Sequence, residues 1–392
     1  MSLDVATMPL RTDHVVTRVA DLAERFRSRT AITEAERSIP HESIVELVDA
    51  GVARVLVPAE YGGLDLGVRD AVDITIAAAK GCASTGWIAW LMMHVPHVVA
   101  MFPAEAQDAV WAAGPDVVTA GSHLGMTVAV TPGGYRISGR GAFTSGVNNA
   151  DWVYVGGFEP AGSGPPQLRY FLIDKRQYTI EDTWDTIGMR GTGSNTVVVE
   201  DLFVPEGFTL SHADAREGTS PGSLLNASPV LRLPWVAKGY LGFIANILGA
   251  AQAAQEEVVA AVAKKRGPGG ARAAESEVVQ MEVGSVAAKL EAAYTLLSAL
   301  ADRSDAGGEI SLAERTRLTA ASTVIVTLVL EGIDKLLELA GTSGFGSAAV
   351  VQQSWRDIHF AAAHVSLSRR EPSARYGRAL LGIPEKTPGM FF

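Results

Sequence analysis

The stretch that organises this chain lies near its C-terminus and reads Trp355-Arg356-Asp357-Ile358-His359-Phe360-Ala361-Ala362-Ala363-His364-Val365-Ser366. Its composition is typical of a helix, and its small alanines leave room for a large group to lie against one face. His364 is expected near the middle of that surface. A lone imidazole on an alanine-rich face is more often structural than catalytic, so its role depends on the rest of the chain.

Four long segments rich in alanine, leucine and valine occupy the last part of the chain. They cover residues 243–264, 275–302, 312–339 and 347–381, and glycine-bearing loops separate them. Four consecutive long helices predict an up-down bundle.

The preceding residues divide into a helical part and a strand-rich part. Helical periodicity runs from residue 12 to about 111, and short β-branched or aromatic runs between glycine- and proline-rich turns follow to about 205. The predicted fold is α+β and mainly α. It has an N-terminal helical domain over residues 1–115, a middle antiparallel β domain over 116–215 and a C-terminal four-helix bundle over 216–392.

The composition indicates a globular protein and argues against two classes of partner. Of the 392 residues, 47% are hydrophobic and 19% charged, and the net charge of -10 gives no general attraction to nucleic acid or anionic membrane. The longest apolar stretches, 88–102 and 323–340, are interrupted by polar residues and fall short of the ~20 clean residues that a membrane span requires. The excess hydrophobicity therefore predicts buried helices and a large subunit interface.

The chain has one cysteine, Cys82, which cannot form an intramolecular disulfide and fits a reducing cytoplasm. It lies in a run of small residues without an adjacent base, so a buried structural thiol is the better interpretation. The N-terminus has no charged-then-apolar signal pattern. These features together predict a cytoplasmic protein.

The histidines do not predict a metal site. His94 and His97 are three residues apart, but Pro96 lies between them and no carboxylate is near in sequence. His359 and His364 lie roughly 140° apart around a helix, so they cannot share one metal ion. We interpret His359 as a structural histidine or a wall of a substrate pocket.

Three loops could bind a cofactor, and each has a purely structural alternative. Ser145 lies among small polar residues before a predicted strand, where a cofactor could bind or a surface turn could form. The glycine-dense run 188–194 lies between strands and is typical of a tight turn. The run 341–346 could offer backbone N–H groups to an anion or simply join two helices.

The order of helical, β and four-helix parts, together with these motifs, resembles the acyl-CoA dehydrogenase fold over nearly the whole chain. Residues 188–194 followed by 197–205 resemble the "G-x-R-G-T-G-S … V-x-V-P" stretch of that superfamily. Residues 143–151 resemble its flavin-contacting loop, and Trp355-Arg356-Asp357 resembles its late "R-D" helix.

The resemblance departs from the dehydrogenases at the catalytic base. Their tyrosine and glutamate are matched here by His364 and Val365, and residues 236–249, the alternative site of the base, contain no acid. Without a carboxylate, α-proton abstraction from an acyl thioester loses its base. Residues 119–124 also replace the superfamily's "T-E-P-x-x-G-S-D" segment.

The chain is more similar to the flavin-dependent oxygenase branch, the oxygenase components of two-component aromatic hydroxylases. Ala83-Ser84-Thr85-Gly86-Trp87 followed by His94 resembles the "S-x-x-W … H" segment of that branch. Its "S-G-x-W-x-F-x-S-G … W" loop is matched by residues 138–152, except that Gly141 replaces the usual tryptophan, a change that suits a bulkier substrate. Trp355-Arg356-Asp357 and His364 match its "W-R-D … H".

This resemblance implies an enzyme that uses reduced FMN or FAD from a separate NAD(P)H-dependent flavin reductase. With O2 it would form a C4a-hydroperoxyflavin and hydroxylate an aromatic or polycyclic substrate, and the chain would form a homotetramer. The implied catalytic residues are His94, Ser145 and His364. The implied cofactor-binding residues are Trp87, Thr144, Ser145, Gly146, Arg190, Gly191, Thr192, Arg266 and Gly344. Two alternatives remain open: an acyl-CoA dehydrogenase or oxidase with a relocated base, and a flavin-free helical binding protein.

Overall fold

The structure, a computed structural model, describes residues 12–160, 164–226, 228–233, 238–267 and 270–384. Its first six helices are α1 Thr12–Ser28, α2 Thr30–Glu36, α3 His41–Asp49, α4 Val68–Gly81, α5 Ala83–Val99 and α6 Ala104–Val110. Helix α5 is apolar on all sides and is buried along nearly its whole length, as expected for a helix inside a large core. It contributes Trp87 and His94 to the interior.

A seven-stranded sheet follows, with strand order β5-β6-β2-β1-β3-β4-β7. Its strands are β1 Thr119–Thr131, β2 Gly134–Thr144, β3 Trp152–Glu159, β4 Gln167–Asp174, β5 Thr179–Glu181, β6 Asn195–Pro205 and β7 Thr209–Ser211.

The prediction of a purely antiparallel sheet is wrong for one pair, because β1 and β3 run parallel. The hairpin of β1 and β2 brings the end of β2 close to the start of β1. Residues 145–151 then cross to the free side of β1, and the Asp151 N–H donates to the Val118 carbonyl over 2.8 Å. This crossover loop carries Ser145.

The α-helices after the sheet complete the fold. They are α7 His212–Glu217, α8 Pro221–Leu225, α9 Leu241–Lys264, α10 Glu277–Asp305, α11 Leu312–Ala340, α12 Val350–Ala361 and α13 Arg370–Leu380. The predicted order of N-terminal helices, a middle sheet and C-terminal helices in an α+β, mainly α fold is confirmed.

The prediction of one helix over residues 347–381 is wrong, and the difference changes the setting of His364. Helix α12 ends at Ala361, His364 is extended (φ -63°, ψ 142°), and a short 3-10 helix covers Val365–Leu367 before α13 begins. Pro372 lies in the first turn of α13, where proline is tolerated, and it would disrupt the interior of one continuous helix. His364 therefore lies in a helix break and not on a helix face.

Glycines allow α5 and α9 to approach each other closely. A Cβ atom on Gly242 of α9 would lie 1.9 Å from the Trp90 ring, and one on Gly86 of α5 would lie 2.6 Å from Asn246 Oδ1. Side chains at these two positions would push the helices apart. In the part of the chain that the structure describes, no helix has the length and apolar character needed to cross a membrane.

Candidate active site

Two adjoining cavities lie where α5, α9, the sheet and the end of α12 meet. The first, here called the aromatic cavity, has a volume of about 230 Å³. It is lined by Trp87, Phe143, Ser145, Trp184, Met189, Thr192, Ser194, Phe360, Ala361, Ala363 and His364. The second, here called the histidine cavity, is lined by Trp87, Leu91, His94, Val95, Gly121, His123, Phe143, Ser145, Tyr154, Gly239, Phe243, His364, Val365 and Ser366.

Four residues belong to both cavities: Trp87, Phe143, Ser145 and His364. Three of them, Trp87, Ser145 and His364, were singled out from the sequence. A group held in one cavity would therefore meet a group held in the other beside the Ser145 hydroxyl and the His364 imidazole.

His364 is held by two aromatic rings and one backbone group. Its ring lies edge-on to Trp87 at 5.5 Å and tilted against Phe243 at 5.0 Å, measured between centroids. The Ser366 N–H donates to Nδ1 over 3.2 Å, which makes Nδ1 the acceptor and leaves the proton of the neutral ring on Nε2. Desolvation lowers the pKa of His364 to about 4, so at neutral pH the ring is an uncharged N–H donor.

The Ser145 hydroxyl lies at the start of the crossover loop and is hydrogen-bonded to the turn before β6. Ser145 Oγ is 2.7 Å from Ser194 Oγ, and Ser194 Oγ is 2.7 Å from Thr192 Oγ1. Gly146 next to it is left-handed (φ 78°), and its N–H donates to the Thr192 carbonyl over 2.8 Å. The loop and the turn therefore form one hydrogen-bonded unit at the edge of the aromatic cavity.

The other residues proposed near this loop support it from behind. The Thr144 hydroxyl donates to the Gly141 carbonyl over 2.9 Å, and the Arg190 guanidinium bonds the Glu34 and Thr186 carbonyls. A Cβ atom on Gly191 would lie 2.1 Å from the Thr33 methyl, so glycine is required by packing against α2. None of these three residues lines either cavity.

Arg266 and Gly344 lie in two loops at one end of the bundle and line neither cavity. Arg266 is exposed and donates to the Gly270 carbonyl over 3.1 Å, and Gly344 is buried beside Ala340. A Cβ atom on Gly341 would lie 3.4 Å from Lys265 Nζ, which shows that the two loops are neighbours. A role for them at the phosphate end of a flavin stays a prediction.

His94 lies in the histidine cavity and stacks on Trp90, with centroids 5.1 Å apart and planes 11° apart. Burial lowers its pKa to about 3, so the ring is neutral. Trp90, Met92 and Met93 of α5 are core residues that line neither cavity. Trp87 and Phe360 do line the aromatic cavity.

His123 is a functional candidate that sequence reasoning missed. Its Nδ1 lies 3.0 Å from the Tyr170 hydroxyl and its Nε2 lies 3.4 Å from the Tyr154 hydroxyl. Burial lowers the pKa of His123 to about 4 and raises the pKa of Tyr154. The cluster therefore gives the histidine cavity a polar but uncharged side.

Two further predicted positions lie outside the cavities. His359 Nε2 is 2.8 Å from Asp334 Oδ1, as expected of a structural histidine and not of a pocket wall. Gly141 packs against β1, since a Cβ there would lie 2.9 Å from Ser122 Oγ, and it lines neither cavity. The interpretation of Gly141 as room for a bulkier substrate is not supported by this placement.

The residues of the aromatic cavity suit a reduced flavin. Trp184 stands edge-on to both Phe143 and Phe360, with centroids 6.0 and 5.6 Å away, and these rings with Trp87 provide apolar surfaces for a planar ring system. The polar groups converge at one edge, where the Ser145 hydroxyl, bonded to Ser194, and the His364 Nε2–H can pair with ring N–H and carbonyl groups. Small Ala361 and Ala363 leave the space that the sequence predicted.

Comparison with known proteins agrees with this fold and site. Residues 13–114 match the acyl-CoA dehydrogenase N-terminal domain, and residues 241–369 match the C-terminal domain. The oxygenase component of the FADH(2)-dependent resorcinol hydroxylase of Rhizobium sp. (strain MTP-10005) is 33% identical, over 97% of this chain and 98% of that protein.

Solved structures give the same result. The 3-HSA hydroxylase of Rhodococcus sp. RHA1 superposes with a TM-score of 0.92 at 30% identity, covering 97% of this chain and 100% of that one. XiaF from Streptomyces sp., solved in complex with FADH2 and glycerol, has a TM-score of 0.88 at 28% identity, covering 96% and 97%. The chain belongs to the acyl-CoA dehydrogenase superfamily and, within it, to the oxygenase components of flavin-dependent monooxygenases.

Proposed function

We propose that this enzyme hydroxylates a phenolic aromatic substrate held in the histidine cavity, with reduced flavin in the aromatic cavity. The observation that carries the proposal is the wall that the two cavities share at Ser145 and His364. Reduced flavin, supplied by a separate NAD(P)H-dependent reductase, would provide the electrons that activate O2. The relatives named as resorcinol and 3-HSA hydroxylases support this chemistry.

The chain's own residues would bind, orient and exclude water. Trp87, Phe143 and Phe360 would keep water from the flavin ring, which limits unproductive release of hydrogen peroxide. The Nε2–H of His364 would donate to a negatively charged oxygen at the shared wall, a stabilisation that is strong in a dry site.

His94 would orient the substrate hydroxyl. With a pKa near 3, the ring accepts a hydrogen bond from a phenol but is a weak proton acceptor. Orientation of the substrate hydroxyl by His94 is therefore better supported than its deprotonation by His94.

The competing dehydrogenase function is opposed by the site. Among the described residues no Asp or Glu lines either cavity, and the position that carries the base in dehydrogenases is Val365. A dehydrogenase needs such a base to remove an α-proton. If butyryl-CoA bleached the oxidised flavin of this protein, that result would support a dehydrogenase and contradict the proposed hydroxylation.

Three further proposals concern the whole assembly. The flavin is FMN or FAD, with its phosphate end near Arg266 and Gly344, and Thr144, Gly146, Arg190 and Gly191 hold the binding loop in shape. The chain forms a homotetramer, for which its apolar composition is the support. It functions in the cytoplasm, which suits its one buried thiol, Cys82. Mass in solution tests the tetramer, and affinities for reduced FMN and FAD decide the cofactor.

The proposed reaction is tested with the purified chain, a separate flavin reductase, NADH and ¹⁸O2. Resorcinol, phenol and a bicyclic naphthol serve as substrates, and the reductase alone serves as the control. We expect one ¹⁸O atom in the product of at least one phenol. Tight binding of reduced flavin without oxygenation of any of the three would argue against a phenolic substrate.

A further inference from the structure

A continuous chain of hydroxyl groups runs from a backbone carbonyl to the aromatic cavity. Thr192 Oγ1 donates to the Met189 carbonyl over 2.9 Å, Ser194 Oγ lies 2.7 Å from Thr192 Oγ1, and Ser145 Oγ lies 2.7 Å from Ser194 Oγ. Thr192, Ser194 and Met189 are buried, so bulk water does not compete for these groups.

The carbonyl at one end gives the chain a direction. A carbonyl oxygen can only accept, so the single hydroxyl hydrogen of Thr192 is used on Met189. Ser194 must then donate to Thr192, and Ser145 must donate to Ser194. The Ser145 oxygen is left with lone pairs toward the cavity and with no hydrogen to offer there.

Reversal of the chain is possible but unfavourable. If Ser145 donated into the cavity, Ser194 would donate to Ser145 and Thr192 to Ser194. The Met189 carbonyl would keep its bonds from Trp184 Nε1 at 3.0 Å and from the Thr192 N–H at 3.2 Å, but would lose the Thr192 hydroxyl. Two oxygens 2.9 Å apart would then face each other without a hydrogen between them.

We propose that Thr192 and Ser194 are positioning residues that hold Ser145 as a hydrogen-bond acceptor, so that the site prefers a reduced flavin over an oxidised one. This inference rests on the proposed function, because it requires a flavin in the aromatic cavity. A reduced flavin carries an N–H at the central-ring nitrogen that bears only a lone pair in the oxidised form. An acceptor at Ser145 pairs with the N–H of the reduced form and repels the lone pair of the oxidised form.

The test compares dissociation constants of reduced and oxidised FMN and FAD, measured without oxygen, for the wild type and three variants. Thr192→Val and Ser194→Ala each break the chain, whereas Thr192→Ser keeps the hydroxyl and is the matched control. We expect the ratio of oxidised to reduced dissociation constants to fall about two- to tenfold in the first two, the effect of one neutral hydrogen bond. Thr192→Ser should keep the wild-type ratio.

Two results would contradict the proposals, and they can be told apart. A ratio within twofold of the wild type in both Thr192→Val and Ser194→Ala, with both flavin forms still bound, would overturn the role of the hydroxyl chain and leave the oxygenase function intact. A wild type that binds neither form would overturn the proposed function itself. Should Ser194→Ala fail to fold, the Thr192→Val and Thr192→Ser pair gives the same decision, with thermal unfolding as the check on structure.

Discussion

The carboxylate of Asp357 accepts the backbone N–H of Met189 over 2.6 Å and so fixes the turn before β6 to helix α12. The same Met189 carries the carbonyl at which the hydroxyl chain to Ser145 begins. Asp357 is buried, and desolvation raises its pKa to about 7. One carboxyl group thus couples the wall of the aromatic cavity to the packing of α12.

Asp357→Asn should abolish a loss of stability that the wild type suffers as the pH rises. The folded-state pKa of about 7 lies above the ordinary aspartate pKa of 3.8, so between these values the folded protein binds the proton that the unfolded chain releases. The contribution of this group is therefore greatest below about pH 4 and is lost as pH rises toward 7. Asparagine can still accept the Met189 N–H but does not titrate.

Urea unfolding at pH 5 and pH 8 measures this effect. We expect the wild type to lose free energy of unfolding relative to Asp357→Asn when the pH is raised from 5 to 8. The histidines are common to both proteins and cancel in the difference. If the two proteins change in parallel, burial has not raised the Asp357 pKa as described.

His364→Ala should uncouple flavin oxidation from hydroxylation. The variant loses the Nε2–H donor at the shared wall. In well-organised sites, removal of one donor to a charged oxygen lowers the rate of the chemical step by roughly 10²-fold. We expect more hydrogen peroxide and less hydroxylated product per reduced flavin consumed. Peroxide and product are measured together in single-turnover reactions with O2.

His359→Gln provides the matched control, because His359 lies near the end of α12, shortly before the break that holds His364, but bonds Asp334 outside both cavities. Its product yield should equal that of the wild type. Because the pKa of His364 is about 4, the wild-type yield should also show no transition that depends on His364 between pH 6 and 8. Unchanged product yield in His364→Ala would remove His364 from the mechanism.

Phe143→Gly should lower the affinity for reduced flavin without lowering the free energy of unfolding. Phe143 is 73% exposed and has a φ of 58°, a left-handed conformation that costs a non-glycine residue about 1–2 kcal/mol. Glycine removes this strain, although its greater freedom in the unfolded chain offsets part of the gain. We expect the free energy of unfolding to stay level or rise by about 1 kcal/mol, while affinity for reduced flavin falls about tenfold.

Thermal unfolding and anaerobic titration with reduced flavin measure the two effects of Phe143→Gly. Ile187→Ala is the control, since Ile187 is also 73% exposed but lines neither cavity. A drop in both the free energy of unfolding and the affinity would mean that packing of the Phe143 side chain outweighs the strain of its left-handed backbone.

The sequence was sufficient to find cavity residues that lie in a short motif. Trp87, His94 and Ser145 each lie in a local pattern, and all three line the cavities. The alanines before His364 likewise predicted an open surface. Such features depend on neighbours within about one helical turn or one loop.

Features that depend on distant parts of the chain were missed. His123 and Tyr170 are 47 residues apart in sequence, as Ser145 and Ser194 are 49 apart, and only the strand order brings each pair together. The helix break at His364 was missed because the alanines at 361–363 favour a continuous helix. Propensity is a weak guide where tertiary contacts and backbone caps decide the end of a helix.

Tyr154→Phe should change substrate recognition without changing flavin binding. Tyr154 is buried, its hydroxyl lies 3.4 Å from His123 Nε2, and both residues line the histidine cavity but not the aromatic cavity. Loss of the Tyr154 hydroxyl removes roughly one hydrogen bond to a second polar group on the substrate ring. We expect KM for resorcinol to rise about three- to tenfold, KM for phenol to change less than twofold, and affinity for reduced flavin to stay constant.

Tyr135→Phe is the control for Tyr154→Phe, because it removes a tyrosine hydroxyl from the same sheet at a site outside both cavities. It should leave both KM values unchanged. An equal rise in KM for phenol and resorcinol in Tyr154→Phe would indicate a general loss of cavity shape. A fall in affinity for reduced flavin in that variant would place the effect in the aromatic cavity, contrary to the division of roles between the two cavities.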